Sequence, residues 1–138
     1  MKMYKSIFRK GSHTYLTPDE FSMLLQIILM STETTGETIE LIGNNFTVYN
    51  SLLDKGYIKE DEENQTECVE IKADIQHFIL ELESYKRLKD EKRSNNEIYL
   101  YYMMEAIDEA TYGEAMDATG LERNEIEKTI KRIEMYGG

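Results

Sequence analysis

The stretch GEAMDATGLERNEIEKTIKRI, residues 113–133, decides how the second half of the chain folds. TYGE at 111–114 is a capping box that starts one helix, and Gly120 ends that helix because glycine readily adopts the left-handed backbone of a tight turn. A second helix follows, with an apolar stripe of isoleucines at helical spacing: Ile126, Ile130 and Ile133. The sequence therefore predicts two helices joined at a sharp angle.

A further capping box, SNNE at 94–97, predicts a helix over about 98–109. Helical spacing cannot bury all of its tyrosine rings, Tyr99, Tyr101 and Tyr102, on one side. Core packing and contact with a partner are both open for these rings, because aromatic side chains suit either environment. Together with the next two helices, this segment gives a predicted tri-helical unit over 98–138.

In the first half of the chain, TPDE at 17–20 is a capping box that predicts a helix to about Met30. FTVYNSLLDKG at 46–56 predicts a second helix, which ends at its glycine. Between them, TIELI at 38–42 has the pattern of a short strand. Two strand-like runs follow, at 57–61 and 66–71, and the polar residues between them predict a β-hairpin with an acidic tip.

From Asp74 onward the apolar spacing is again helical, which predicts a connecting helix. Its apolar residues are Ile75, Phe78, Ile79 and Leu82. The expected fold is mainly α with a small β-hairpin. Its predicted parts are a basic N-terminal segment at 1–16, a helix-and-hairpin unit at 17–73, the connecting helix at 74–97 and the tri-helical unit at 98–138.

The net charge of −11 argues against wrapping of nucleic acid by the whole surface, because phosphate binding requires clustered cations. The charge is segregated, however. Residues 1–16 contain no acid and hold Lys2, Lys5, Arg9 and Lys10, and a second basic cluster spans 85–93. Each cluster is either a solvated surface or a contact to a phosphate backbone.

Several classes of protein are not indicated. The longest apolar run, at 23–30, is shorter than the roughly 20 residues that span a bilayer, so a cytoplasmic protein without a membrane partner is expected. The single cysteine and two histidines do not supply a usual zinc site. With no glycine-rich phosphate loop and no serine elbow, we expect no metal, no cofactor and no catalytic residues. The absence of Trp and the abundance of Ile, Asn, Lys and Tyr are typical of an AT-rich bacterial or phage genome.

At 114–136 the sequence EAMDATGLERNEIEKTIKRIEMY resembles the helix-turn-helix superfamily, with a spacing similar to the MarR-like winged-helix regulators. The unit over 17–73 is similar to a winged helix, and the resemblance makes the first half winged-helix-like. It implies a dimer that places two copies of the last helix in successive major grooves, where its start and exposed face contact DNA. The DNA-binding candidates are then Arg123, Asn124, Lys128, Lys131 and Arg132.

Three glutamates on the same helix favour a different partner, because they bring negative charge to where phosphates would lie. One hypothesis is thus a small DNA-binding regulator of transcription or replication. The other is an acidic protein-interaction module, an adaptor or inhibitor of nucleic-acid machinery, that binds a basic protein surface. Its partner-binding candidates are Glu122, Glu125, Glu127, Tyr99, Tyr101 and Tyr102.

Overall fold

The computed structural model describes residues 2–33, 46–60, 66–68, 77–107 and 110–135. These residues are mainly helical with small antiparallel strand pairs, which confirms the predicted fold class. The helices are α1 (Pro18–Glu33), α2 (Phe46–Asp54), α3 (Glu83–Asp90), α4 (Asn95–Ala106), α5 (Tyr112–Thr119) and α6 (Arg123–Met135), with a 3-10 helix at Lys5–Phe8. The strands are β1 (Lys2–Tyr4), β2 (Ile58–Glu60), β3 (Thr66–Cys68) and β4 (His77–Ile79).

Helix α1 begins at the predicted capping box. The Glu20 backbone N–H donates to Thr17 Oγ1 at 3.2 Å, and the Thr17 N–H donates to Glu20 Oε1 at 2.8 Å. Most of its central residues are buried, because α1 packs against both α2 and α4. This helix therefore lies at the centre of the described residues.

Helix α2 ends as predicted, since Gly56 adopts a left-handed backbone with φ 81°. The hairpin that follows is also confirmed: β2 and β3 pair antiparallel, with Ile58 opposite Cys68. The predicted strand at 38–42 and the acidic hairpin tip at 61–65 lie outside the described residues.

The prediction of a helix running from Asp74 is wrong over His77–Ile79, which form strand β4. This strand pairs antiparallel with β1, so that Met3 lies opposite Phe78. Strand alternation turns Phe78 toward Phe8, with ring centroids 5.8 Å apart, and leaves the next residue, Ile79, 67% exposed. The apolar residues that suggest one helical face thus belong partly to a strand, and among the described residues of this region the helix covers Glu83–Asp90.

The two halves of the chain share one core. Phe8 from the N-terminal segment and Phe21 from α1 pack against Tyr99 from α4, with ring centroids 5.0 and 5.6 Å from that of Tyr99. The N-terminal segment contributes to this core through Met3, Ile7 and Phe8, which are all buried.

The C-terminal helices follow the predicted local signals. Ser94 caps α4 by accepting from the Glu97 N–H, and Thr111 caps α5 by accepting from the Glu114 N–H. Gly120 ends α5 with φ 76°. Helix α6 packs against both α4 and α5, so α4 and α5 together form the support on which α6 lies.

Candidate nucleic-acid interface

The inner face of α6 fixes the helix to its support. Ile126 is fully buried, Thr129 and Ile133 are 5% and 8% exposed, and Ile130 is partly buried. The Thr129 hydroxyl donates to the Glu125 carbonyl at 2.8 Å, so its polar atom is satisfied within the helix. This apolar stripe holds one side of α6 against its support and leaves the opposite side exposed.

The outer face of α6 is formed by Asn124, Lys128 and Lys131, all of which are exposed. Their i, i+4, i+7 spacing puts them on one line along the helix. Each lies two residues before or after a buried position, which is about 200° around the helix axis. The line therefore points away from the support, and it carries two cations and no acid.

Glu127, the acidic residue nearest this line on one side, forms an ion pair with Arg123. Arg123 Nε lies 3.3 Å from Glu127 Oε1, and the Arg123 guanidinium lies over the ring of Tyr112 at 4.8 Å from its centroid. The guanidinium therefore rests between the first turn of α5 and the first turns of α6. Both side chains of the ion pair are substantially exposed, so the pair contributes little to stability.

Arg132 has a contact within the protein. Its Nη1 lies 3.6 Å from Glu97 Oε1, while the other Glu97 oxygen accepts from Arg93 at 3.1 Å. Glu97 is 8% exposed, so two arginines neutralise a buried carboxylate at the start of α4. From the sequence Glu97 is recognisable only as part of a helix cap. Its pairing with Arg132 joins two helices that are far apart in the sequence and pack together in the structure.

Glu122 and Glu125 are both exposed at the beginning of α6. Within the described part of the chain, neither carboxylate lies at ion-pair distance from a cation. Negative charge at a helix start is favourable because of the helix dipole. Glu125 also donates its backbone N–H to Asn124 Oδ1 at 3.0 Å, which orients the Asn124 amide.

The structure corrects the assignment of Tyr99 and Tyr102 as partner-binding candidates, because both rings are buried. The Tyr99 hydroxyl donates toward the carbonyls of Leu16 and Ile7, at 2.9 and 3.2 Å, and the Tyr102 hydroxyl donates to the Glu81 carbonyl at 2.7 Å. Burial raises the pKa of both phenols well above the ordinary value. Both side chains are therefore part of the core, and both hydroxyls have hydrogen-bond acceptors there.

Tyr101 is the partly buried member of the tyrosine cluster. Its hydroxyl is 3.0 Å from Ser84 Oγ, and the Arg87 guanidinium lies over its ring at 5.7 Å from the centroid. It thus lies against α3.

The described residues contain no helix that is long and apolar enough to cross a membrane. Nor do three His, Cys, Asp or Glu side chains converge on a metal-sized site anywhere in those same ranges. The chain matches no protein-family model, no curated protein and no solved structure. The interpretation of α6 accordingly depends on its own geometry and charge.

Proposed function

We propose that this protein binds duplex DNA and acts as a small regulator of transcription or replication. In this proposal α5 and α6 work as a helix-turn-helix of the winged-helix type, and α6 enters the major groove. The observation that carries the proposal is the outward line of Asn124, Lys128 and Lys131 opposite a buried stripe. The function is one of binding without catalysis, in the cytoplasm of a bacterium or of its phage-infected cell.

The positions along the outer face suit the roles proposed for them. Lysine side chains are long enough to reach phosphates beside the groove, and the Asn124 amide can pair with an adenine edge. Arg123 lies nearby over Tyr112, where it can reach a guanine after releasing Glu127. The contact between Arg132 and Glu97 favours a structural role for Arg132, with a phosphate contact as its second role.

The charge distribution also supports contact with DNA through α6. The acids that flank the outer face lie off its central line, and Glu127 has its own cationic neighbour. A dimer of the protein would present two copies of α6 to successive turns of the groove, as such regulators do.

The experiment is fluorescence anisotropy of short mixed duplexes with the purified protein at several salt concentrations. The unaltered protein should bind with an affinity that falls steeply as salt rises. The double variant Lys128→Ala, Lys131→Ala should lower the magnitude of the salt slope by about 2, because each lost phosphate contact removes about 1. Asn124→Ala should instead relax sequence preference, by about 1–3 kcal/mol at one base pair.

The matched control is Lys89→Ala with Lys92→Ala, which removes the same charge near the end of α3, where both side chains are exposed. Its binding should stay closer to that of the unaltered protein. Equal losses in the two double variants would mean that net charge, and not the face of α6, governs binding. Absence of binding at low salt would reject the proposal.

A second candidate is an acidic module that binds a basic protein surface. It is supported by the exposed and unneutralised Glu122 and Glu125 at the start of α6, and by the net charge of −11. Under this function, affinity capture should recover a basic protein that is lost after reversing Glu122, Glu125 and Glu127 to lysine. Arg123→Ala should leave that capture intact, whereas it should weaken DNA binding under the first proposal.

A further inference from the structure

The loop between the 3-10 helix and α1 is basic and exposed, and the 3-10 helix before it contacts α5. Arg9, Lys10, Gly11 and His13 are all exposed. Residues 1–16 hold four cations and no acid in a chain whose net charge is −11. Solvent exposure alone does not explain why a segment of so acidic a protein contains cations and no Asp or Glu. This composition favours contact with an anionic partner.

Hydrogen bonds hold this loop in one conformation. The Leu16 N–H donates to the Ile7 carbonyl at 2.9 Å, which closes the loop at its base. Within it, the Ser12 N–H donates to the Arg9 carbonyl at 3.0 Å. The Thr14 hydroxyl also bonds the Ser12 hydroxyl at 2.6 Å. The exposed cations therefore project from an ordered turn, which reduces the entropy lost when they bind.

The loop is also fixed beside the proposed DNA-binding helices. Tyr15, at its end, donates its hydroxyl to the Ala118 carbonyl at 2.5 Å. Ala118 belongs to the last turn of α5, two residues before Gly120, where the chain turns into α6. The 3-10 helix at the start of the loop packs against α5 as well. One hydrogen bond thus links the basic loop to the last turn of α5, which directly precedes α6.

We propose that Arg9 and Lys10 contact backbone phosphates of duplex DNA next to the groove that α6 enters. This inference rests on the proposed function and adds a second contact surface to it. Phosphate contacts of this kind hold the protein on the duplex without reading sequence. The loop would thereby supply positive charge that the short outer face of α6 lacks.

The basic cluster of α3 is less suited to contact DNA phosphates. Arg87 and Lys89 lie over the rings of Tyr101 and Tyr85, at 5.7 and 5.8 Å from the centroids, so both cations already have contacts on the protein surface. This cluster therefore provides a control with the same kinds of side chain. Arg87→Ala with Lys89→Ala removes one arginine and one lysine, as does Arg9→Ala with Lys10→Ala.

The test compares the full-length double variants by anisotropy on one duplex over a salt series. Arg9→Ala with Lys10→Ala should weaken binding on the order of tenfold at low salt and lower the salt slope by about 2, with unchanged sequence preference. The control at Arg87 and Lys89 should keep both values near those of the unaltered protein. Hydroxyl-radical footprints should lose protection at the flank of the site only in the loop variant.

The outcomes separate this inference from the proposed function. An unaltered slope and footprint in the loop variant, together with weakened binding by Lys128→Ala and Lys131→Ala, would overturn the loop contact and leave the proposed function standing. An equal effect of the control at α3 would also overturn it. If the unaltered protein binds no duplex, the proposed function itself fails, and the loop contact fails with it. Circular dichroism of each variant checks that the fold is retained.

Discussion

A lysine occupies the left-handed position at the end of α3, where the end of α2 has a glycine. Lys92 has φ 60° and Gly56 has φ 81°. The same pair of backbone hydrogen bonds closes each helix. At the end of α3, the Arg93 N–H donates to the Leu88 carbonyl and the Lys92 N–H donates to the Lys89 carbonyl. At the end of α2, the Tyr57 N–H donates to the Leu52 carbonyl and the Gly56 N–H donates to the Leu53 carbonyl. These are two copies of one C-terminal motif, and only one has the residue that tolerates it without strain.

The first prediction changes the residue at each of these two positions. Lys92→Gly should raise the free energy of unfolding by about 0.5–1 kcal/mol, because it relieves left-handed strain at some cost in chain entropy. Gly56→Ala should lower it by about 1 kcal/mol. The Gly56 site is open, with no atom within 4 Å of an added Cβ, so the loss there reports backbone strain alone. Urea unfolding of both variants measures this, and changes of the same sign would contradict the explanation.

Glu20 is a buried carboxylate that joins α1 to α2. It accepts from Lys55 Nζ at 2.7 Å and from the hydroxyl of Ser51, in addition to its capping bond with Thr17. Burial by itself would raise the pKa of this carboxyl, but these donors outweigh burial and hold the pKa below its ordinary value of 4.5. The charged form is therefore the one that stabilises the fold.

The second prediction concerns Glu20→Gln. At neutral pH the variant should lose about 2 kcal/mol of unfolding free energy, because the amide replaces charged hydrogen bonds. The advantage of the native residue is fully present above the unfolded pKa and is lost as the pH falls through the lower folded pKa. Urea unfolding between neutral and acidic pH should thus show the two proteins converging in acid. A difference in unfolding free energy between the two proteins that does not vary with pH would contradict this explanation. The control is Glu83→Gln at an exposed position, which should change the unfolding free energy by less than about 0.5 kcal/mol.

Helix α6 has one face that packs on its support and an opposite face that is exposed. Ile126 is fully buried, whereas Lys128 on the other side is exposed. The third prediction is that Ile126→Ala lowers the free energy of unfolding by about 3 kcal/mol through loss of apolar contact and creation of a cavity. Lys128→Ala should stay within about 0.5 kcal/mol of the native protein. Thermal unfolding of both variants, with anisotropy for binding, tests the division; a destabilised Lys128 variant would refute it.

The elements that sequence reasoning predicts well are those whose causes are local. The capping boxes at Ser94 and Thr111 and the turns at Gly56 and Gly120 involve residues within a few positions of one another. The pairing of β1 with β4 is different, since it joins residues more than 70 positions apart and depends on a neighbour that periodicity cannot reveal. The outer face of α6 is predictable from helical spacing, but the contact of Arg132 with Glu97 requires the packing of α6 on α4.

For the whole molecule, the burial of Tyr99 shows why the two halves depend on each other. This side chain belongs to α4 of the C-terminal unit, yet its ring packs on Phe8 and Phe21, and its hydroxyl donates toward carbonyls at Ile7 and Leu16. Removing the N-terminal half would expose this ring and leave its hydroxyl without those acceptors. The tri-helical unit therefore lacks a closed core of its own.

The fourth prediction is that a fragment of residues 94–138 does not fold independently, whereas the full chain unfolds in one cooperative transition. The fragment exposes Tyr99 and Tyr102, whose buried rings both pack on Phe21 in the full protein, and so short a chain rarely compensates for such a loss. Circular dichroism should show weak helicity and no cooperative melting for the fragment alone. Adding the complementary fragment 1–93 should restore helical signal, because it returns Phe8 and Phe21 to the shared core. Cooperative melting of the 94–138 fragment by itself would instead establish two independent domains, each with its own core.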